Sequence, residues 1–148
     1  MPYKQKIKDK RFSSHFSSGG ETDTFWTLQD NVGYGYKNRW LDVMLVQFFL
    51  NKVARSKILE PDGLFGGKTW RAIKDYQTRW NCVADGMVTA AQGDSLISKK
   101  QGRVFTICYL NVDYFVLHRA YYDDLKKDPD LPSALCNHFT VDFDFNEN

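Results

Sequence analysis

The middle of the chain carries apolar residues at helical spacing. One face of a first helix is marked at positions i, i+3, i+7 and i+10 by Val43, Val46, Leu50 and Val53. An adjoining face adds Leu41, Leu45 and Phe48. Two apolar faces on one helix predict that it packs against neighbours on more than one side. Asn38, a residue type common at helix N-caps, predicts where this helix begins.

A second helix is predicted from Lys68 to Trp80. Its apolar stripe follows the same spacing and consists of Trp70, Ile73, Tyr76 and Trp80. Asn81 is expected to close this helix, because asparagine tolerates the left-handed backbone conformation that ends many helices. A short third helix is predicted over residues 89–98. The three helices together predict a mainly α fold.

The N-terminal flank of these helices reads differently. Residues 1–24 are polar and include a stretch rich in serine and glycine, which predicts a flexible arm. Residues 25–38 are punctuated by glycines, which predicts a structured loop rather than a helix. We therefore treat residues 1–37 as an arm and lead-in loop, and residues 38–98 as a three-helix core domain.

The C-terminal segment, residues 99–148, is rich in aromatic residues and is expected to pack on the core domain rather than fold alone. Residues 103–110 are rich in β-branched and aromatic types, and their pattern leaves a strand or the start of a long helix open. A helix is predicted across 112–127, and a further turn or two of helix over 133–140. The alternating residues from Val141 to Phe145 indicate an edge strand or an ordered tail.

Composition and charge are typical of a soluble globular protein. A hydrophobic content of 43% is enough to close a core in 148 residues without metal or disulfide crosslinks. The net charge of +2 gives no reason to expect a nucleic-acid partner. Basic residues dominate positions 1–20 and acidic residues dominate positions 121–148. This asymmetry fits a basic arm that visits an anionic polymer, or simply solvated ends of opposite sign.

Cysteine usage and targeting signals limit the setting. Cys82, Cys108 and Cys136 cannot all pair with one another, and none lies in a metal-ligand cluster. We expect buried reduced thiols, no metal and no cofactor. The N-terminus lacks the apolar stretch of a secretory signal, and no window approaches the ~18 apolar residues of a membrane span. These features predict synthesis in the cytoplasm and no membrane span.

Two Asp-Gly turns join the predicted helices and are the most specific feature of the sequence. The first turn reads Asp62-Gly63-Leu64-Phe65-Gly66-x-x-Thr69, and the second reads Asp85-Gly86-Met87-Val88. Glycine supplies a positive φ without steric cost, and the aspartate oxygen accepts backbone N–H bonds. Thr69 is a candidate cap for the helix that the first turn opens. Phe65 and Val88 are expected to anchor the turns in the core.

The ordered set of these segments resembles the peptidoglycan-binding module found on bacterial cell-wall hydrolases and phage lysins. The family pattern is roughly D-V-x-x-[LV]-Q-x-x-L-N, then D-G-x-F-G-x-x-T-x-x-A-[VI]-x-x-[FY]-Q, then D-G-x-V. Its parts are matched by Asp42-Val43, Val46-Gln47 and Leu50-Asn51; by Asp62-Gly63, Phe65-Gly66, Thr69, Ala72-Ile73 and Tyr76-Gln77; and by Asp85-Gly86 and Val88. The similarity spans about residues 38–97. It implies a three-helix fold that attaches to peptidoglycan.

The resemblance also directs attention to candidate ligand residues near the turns. A glycan–peptide polymer needs a shallow groove with aromatic faces for sugar rings and polar groups for amides and carboxylates. The candidates are Asp62, Trp70, Arg71, Tyr76, Gln77 and Trp80. Trp70 and Trp80 lie on the apolar stripe, so core packing explains them at least as well. Gln47 and Gln77 occupy equivalent helical positions, which fits interhelix hydrogen bonds and ligand contact equally.

A catalytic centre is not indicated. His15, His118 and His138 are the only histidines, and no two have metal-ligand spacing on one helix. A cysteine–histidine pair would lack a third group to orient the base. The acidic pair Asp123-Asp124 is explained more simply as surface residues than as glycosidase carboxylates. We therefore predict no enzymatic activity.

Two functions remain open after these considerations. The leading one is non-catalytic attachment to peptidoglycan, with delivery to the periplasm or cell wall by a non-classical route. The alternative is a protein-interaction or adaptor module of a phage or secretion-system apparatus, with the C-terminal segment as its partner surface. The missing secretory signal and the odd cysteine count favour the alternative. So do Thr89 and Gln92, which stand where the family usually has glycine and threonine.

Overall fold

The structure, a computed structural model, describes residues 2–8, 23–80, 83–93, 95–97 and 103–142. Within these ranges the chain forms five α-helices and one two-stranded antiparallel sheet. The prediction of a mainly α fold is confirmed. No helix in these ranges is both long enough and apolar enough to cross a bilayer.

The elements follow one another along the chain in a simple order. The helices are α1 (Trp40–Ala54), α2 (Gly67–Arg79), α3 (Thr106–Leu117), α4 (Arg119–Tyr122) and α5 (Ser133–Asp142), with a 3-10 helix at Leu125–Lys127. The strands are β1 (Tyr3–Lys6) and β2 (Thr24–Thr27), and they pair with Tyr3 opposite Thr27.

Helix α1 lies at the centre of the fold. Nine consecutive residues, from Asp42 to Leu50, are buried, so the helix has no exposed side over more than two turns. Helices α2, α3 and α5 all contact it. The prediction that this helix packs against neighbours on more than one side is therefore confirmed.

Helix α1 begins at Trp40 rather than at the predicted cap, Asn38. Asn38 has a φ of +52° and lies in the preceding loop. Its amide donates to the carbonyls of Gly33 and Tyr36, and its Oδ1 accepts from the Gly33 N–H. The asparagine thus uses its tolerance of positive φ to close a loop, and Arg39 occupies the N-cap.

The predicted third helix at 89–98 is wrong for the residues described there. The chain instead makes isolated bridges, between Gln92 and Ser95 and between Ile97 and Val104. Gly93 lies against β1, where an added Cβ would come within 2.0 Å of the Lys6 carbonyl oxygen. Helix α3 of the C-terminal segment packs on α1 in its place.

The predicted flexible arm contains ordered structure. Tyr3–Lys6 form β1, and the Ile7 N–H donates to the Asp23 carbonyl at the end of the pairing. The lead-in loop likewise starts with a strand, β2, in which Phe25 and Trp26 are fully buried. Residues 9–22, which hold the serine- and glycine-rich stretch, lie outside the described residues.

The C-terminal segment forms shorter helices than predicted. The helix expected across 112–127 is divided at His118, whose φ of −136° interrupts the helical backbone between α3 and α4. Helix α5 confirms the helical turns expected at 133–140, and it includes Val141, where a strand or tail was expected. The remaining tail from 143 onward lies outside the described residues, as does the predicted cap Asn81.

Candidate functional site

The first Asp-Gly turn is held by the buried amide of Gln47 on α1. Gln47 Oε1 accepts from the Gly63 N–H at 2.8 Å. Its Nε2 donates to the Leu64 carbonyl at 3.1 Å and to Thr69 Oγ1 at 3.0 Å. The Asp62 carboxylate accepts from the Leu64 N–H, which closes the turn on itself. One glutamine therefore ties α1, the turn and α2 together.

The second turn is held in the same way by Gln77 on α2. Gln77 Oε1 accepts from the Gly86 N–H at 2.9 Å, and Nε2 donates to the Met87 carbonyl at 2.8 Å and to Thr106 Oγ1 at 3.0 Å. The Asp85 carboxylate accepts from the Met87 N–H. The hydrogen bonds of the first turn are thus reproduced one helix later. We call each set of glutamine, turn and threonine a glutamine–turn unit.

The turn glycines are required because an indole ring lies against each. Gly63 has a φ of +79°, and a Cβ there would come within 2.1 Å of the Trp40 ring. Gly86 has a φ of +72°, and a Cβ there would come within 2.3 Å of the Trp70 ring. Each glycine therefore meets both a backbone and a packing requirement.

The contacts of the two turns show which of the candidate residues are buried and which are exposed. Gln77 is 1% exposed and both atoms of its amide are engaged, which supports interhelix hydrogen bonding rather than ligand contact. Thr69 does not cap α2: Gly66 is the N-cap, and Thr69 is buried one turn in, where it accepts from Gln47. Asp62 remains exposed on the first turn.

A groove of about 910 Å³ runs along the exposed side of α2. Its walls come from α2, the C-terminal half of α1, the segment after α1 and the lead-in loop. Three of the candidate residues, Trp70, Arg71 and Tyr76, line it. We refer to this cavity as the α2 groove.

Aromatic rings from the lead-in loop, the first turn and α2 meet at one end of the α2 groove. Tyr34 of the lead-in loop is 62% exposed, and its ring meets Phe65 edge-on at 5.0 Å and Trp70 at 6.0 Å. Lys74 Nζ lies 4.5 Å from the Trp70 ring centroid, a cation–π contact. The sequence reasoning missed Tyr34; its only signal was the Gly33-x-Gly35 spacing of the lead-in loop.

Basic side chains outnumber acidic ones along the α2 groove. Lys68, Arg71 and Arg79 line it and are exposed, whereas Asp75 supplies the one carboxylate among the lining residues described. The positive balance makes the groove a place where an anionic ligand gains charge-assisted hydrogen bonds.

Tyr76 and Trp80 connect α2 to α3 through one carboxylate. Asp113 Oδ2 accepts from the Tyr76 hydroxyl at 2.6 Å and from Trp80 Nε1 at 2.9 Å. Burial raises the pKa of Asp113, and burial beside that carboxylate raises the pKa of Tyr76. Trp80 also stacks on Tyr109 at 4.7 Å and is 39% exposed. Both candidates thus serve helix packing, although the Tyr76 ring also reaches the groove.

The imidazoles considered as bases for a cysteine nucleophile contact the backbone instead. A ring nitrogen of His118 lies 3.3 Å from the Lys52 carbonyl, and one of His138 lies 2.8 Å from the Pro2 carbonyl. Cys108 is buried in the core, and its thiol contacts the Leu96 carbonyl. In the described part of the chain, no three His, Cys, Asp or Glu side chains are grouped to hold a metal ion.

The matched segment lies across these features. Residues 41–96 match the model of a family described as a putative peptidoglycan binding domain. The resemblance recognised in the sequence is therefore confirmed for that segment, which holds most of α1, all of α2 and both Asp-Gly turns. A search of curated proteins and a search of solved structures each gave no match.

Proposed function

We propose that this chain, whose residues 41–96 match a peptidoglycan-binding domain, attaches to the bacterial cell wall through the α2 groove. The observation that carries the proposal is that the groove lies mainly within the matched segment. Among the described residues that line it, Tyr34 alone comes from outside that segment. The matched family suggests the ligand, and the groove offers a surface with the chemistry that such a ligand requires.

The aromatic end of the groove suits sugar rings. The C–H faces of a hexopyranose pack against aromatic rings, and Tyr34 and Trp70 present such rings about 6 Å apart at the groove mouth. Tyr34 supplies most of the exposed ring surface, whereas Trp70 is partly covered by its contacts with Gly86 and Lys74. We therefore expect Tyr34 to contribute at least as much as Trp70.

The basic part of the groove suits the peptide stems of the polymer. These stems carry free carboxylates, and Lys68 and Arg71 project from the first turns of α2 beside the aromatic end. Arginine binds a carboxylate through two parallel N–H donors, so Arg71 is the stronger candidate for that contact. Of the residues suggested by the sequence, Trp70 and Arg71 are retained for ligand contact, while Asp62 and Trp80 are not among the residues that line the groove.

Attachment of this kind needs no chemistry of its own. A bound module raises the local concentration of any hydrolase or other partner linked to it, without a new catalytic contact. We propose that the chain acts in this way and that it does not cleave the polymer.

The proposal is tested by co-sedimentation of the purified protein with insoluble peptidoglycan sacculi. The wild type should pellet, and Arg71→Ala and Tyr34→Ala should each weaken retention by about tenfold, the change expected from one lost charge-assisted or aromatic contact. Arg55→Ala is the matched control, since Arg55 is also an exposed arginine but lies outside the groove lining. A wild-type protein that stays in the supernatant would end the proposal.

A further inference from the structure

The two glutamine–turn units differ in one respect: the second is covered by another segment of the chain. Val32 and Val88 form an antiparallel bridge in which each N–H donates to the other's carbonyl, at 2.9 and 2.8 Å. Beside this bridge Gly33 lies against Met87, where an added Cβ would come within 3.2 Å of the methionine side chain. An extended Val-Gly segment therefore closes the second turn.

The first unit has the same framework, but no described segment bridges to it, and the lead-in loop reaches it only through the ring of Tyr34, which meets Phe65 edge-on. Leu64, which corresponds to Met87, is 69% exposed, and the neighbouring Trp40 is 54% exposed. Phe65 corresponds to Val88, and its main-chain N–H and carbonyl make no hydrogen bond to any residue that the structure describes. The position that forms a bridge in the second unit is thus left open in the first by all the residues that the structure describes.

We propose that the first turn docks an extended segment of a partner protein, which bridges to Phe65 as Val32 bridges to Val88. The partner segment has an apolar residue followed by glycine, because a glycine lets its backbone approach Leu64. Main-chain hydrogen bonds to an open bridge position supply affinity, and a small residue in the second place supplies selectivity. Burial of Leu64 and Trp40 adds the hydrophobic contribution.

A polypeptide fits this position better than a sugar chain does. The bridge needs an N–H and a carbonyl on the same residue, spaced as in an extended backbone, to meet both groups of Phe65 at once. Leu64 and Trp40 lie outside the lining of the α2 groove, and the site adjoins the groove at Phe65, whose ring meets that of Tyr34. One molecule would then hold the wall and a protein partner together.

The Val-Gly segment that closes the second turn supplies a peptide with which to test the proposal. The peptide Asn-Val-Gly-Tyr-Gly-Tyr, residues 31–36 of this chain, should bind to the first turn when added to the folded full-length protein. In amide NMR spectra, millimolar peptide should shift the Phe65 and Leu64 resonances, with the Phe65 proton moving downfield as its N–H becomes bonded. The matched control is the same peptide with Gly33→Ala, which should bind much more weakly.

A protein variant provides the second arm. Leu64→Asp should weaken the binding of the peptide by at least about tenfold. Burial of one leucine side chain contributes more free energy than a tenfold change in affinity requires. Val116→Asp, on the exposed side of α3 at 55% exposure, should leave binding unchanged. The proposal is overturned if Phe65 does not shift, if both peptides bind equally, or if the shifts fall on Val88 instead, which would indicate exchange with the chain's own segment.

Discussion

Substitution of Gln77 by alanine separates a structural role from a ligand-binding role at this position. The side chain is 1% exposed and makes hydrogen bonds to four residues on two segments, three in the second turn and one at the start of α3. Gln77→Ala removes the amide but leaves the Gly86 N–H and Thr106 Oγ1 buried, and the Met87 carbonyl partly buried, without that partner. We expect a large loss of stability without any direct effect on the groove.

The size of the loss follows from the groups left without partners. A buried donor or acceptor without a partner costs about 1–3 kcal/mol, and three such groups with partial rehydration give about 3–5 kcal/mol in the free energy of unfolding. A domain of this size is stable by about 5–15 kcal/mol, so the variant should fold but melt much earlier. Gln47→Ala should cost a similar amount, because Gln47 makes the same set of hydrogen bonds.

Urea unfolding followed by tryptophan fluorescence measures these differences directly. Thr78→Ala, an exposed position one residue further along α2, serves as the control and should change stability by less than about 0.5 kcal/mol. The reasoning is refuted if Gln77→Ala loses less than about 1 kcal/mol, which would show that the turn does not depend on the amide. It is also refuted if the variant loses wall binding while keeping wild-type stability.

Three further changes test the packing. Gly63→Ala should destabilise the protein more than Gly35→Ala in the same urea assay, because both glycines have positive φ but only Gly63 faces an indole ring; equal losses would contradict this. Burial raises the pKa of Asp113, so the folded protein binds a proton there at a higher pH than the unfolded chain does. The free energy of unfolding of the wild type, measured relative to that of Asp113→Asn, should therefore increase as the pH falls from neutral towards about 4. A difference between the two proteins that does not change with pH would contradict the burial of Asp113. Truncation of the chain after residue 97 keeps the matched segment but removes α3. The truncated protein should unfold without a cooperative transition when it is followed by circular dichroism. A sharp transition would show that the matched segment folds alone.

Local spacing predicted the two central helices because a buried helical face depends only on nearby residues. The stripe from Val43 to Val53 and the stripe from Trp70 to Trp80 both fall on real helices. The third helix failed for the opposite reason: Gly93 is held by β1, more than 80 residues earlier, and no local pattern reports that contact. Helix α3 starts in the one segment whose pattern left strand and helix open.

The candidate groove was predictable in part. Trp70 and Arg71 follow the first turn directly, so the resemblance located them. Tyr34 could not be placed, because its position depends on how the lead-in loop folds over α2. The role of Gln77 was also undecided, since a buried amide and a ligand-binding amide look alike in sequence. The glutamine lies 16 residues from the turn glycine in the first unit and 9 in the second, so the likeness of the two units emerges only when both sets of hydrogen bonds are compared.

The most direct test of the central proposal is to map amide NMR shifts while soluble fragments of digested peptidoglycan are titrated into the protein. The proposed function predicts saturable shifts along residues 67–71 and at Tyr34, with Arg71→Ala weakening them. Shifts that do not saturate, or that map to α5 instead, would contradict wall binding through the α2 groove.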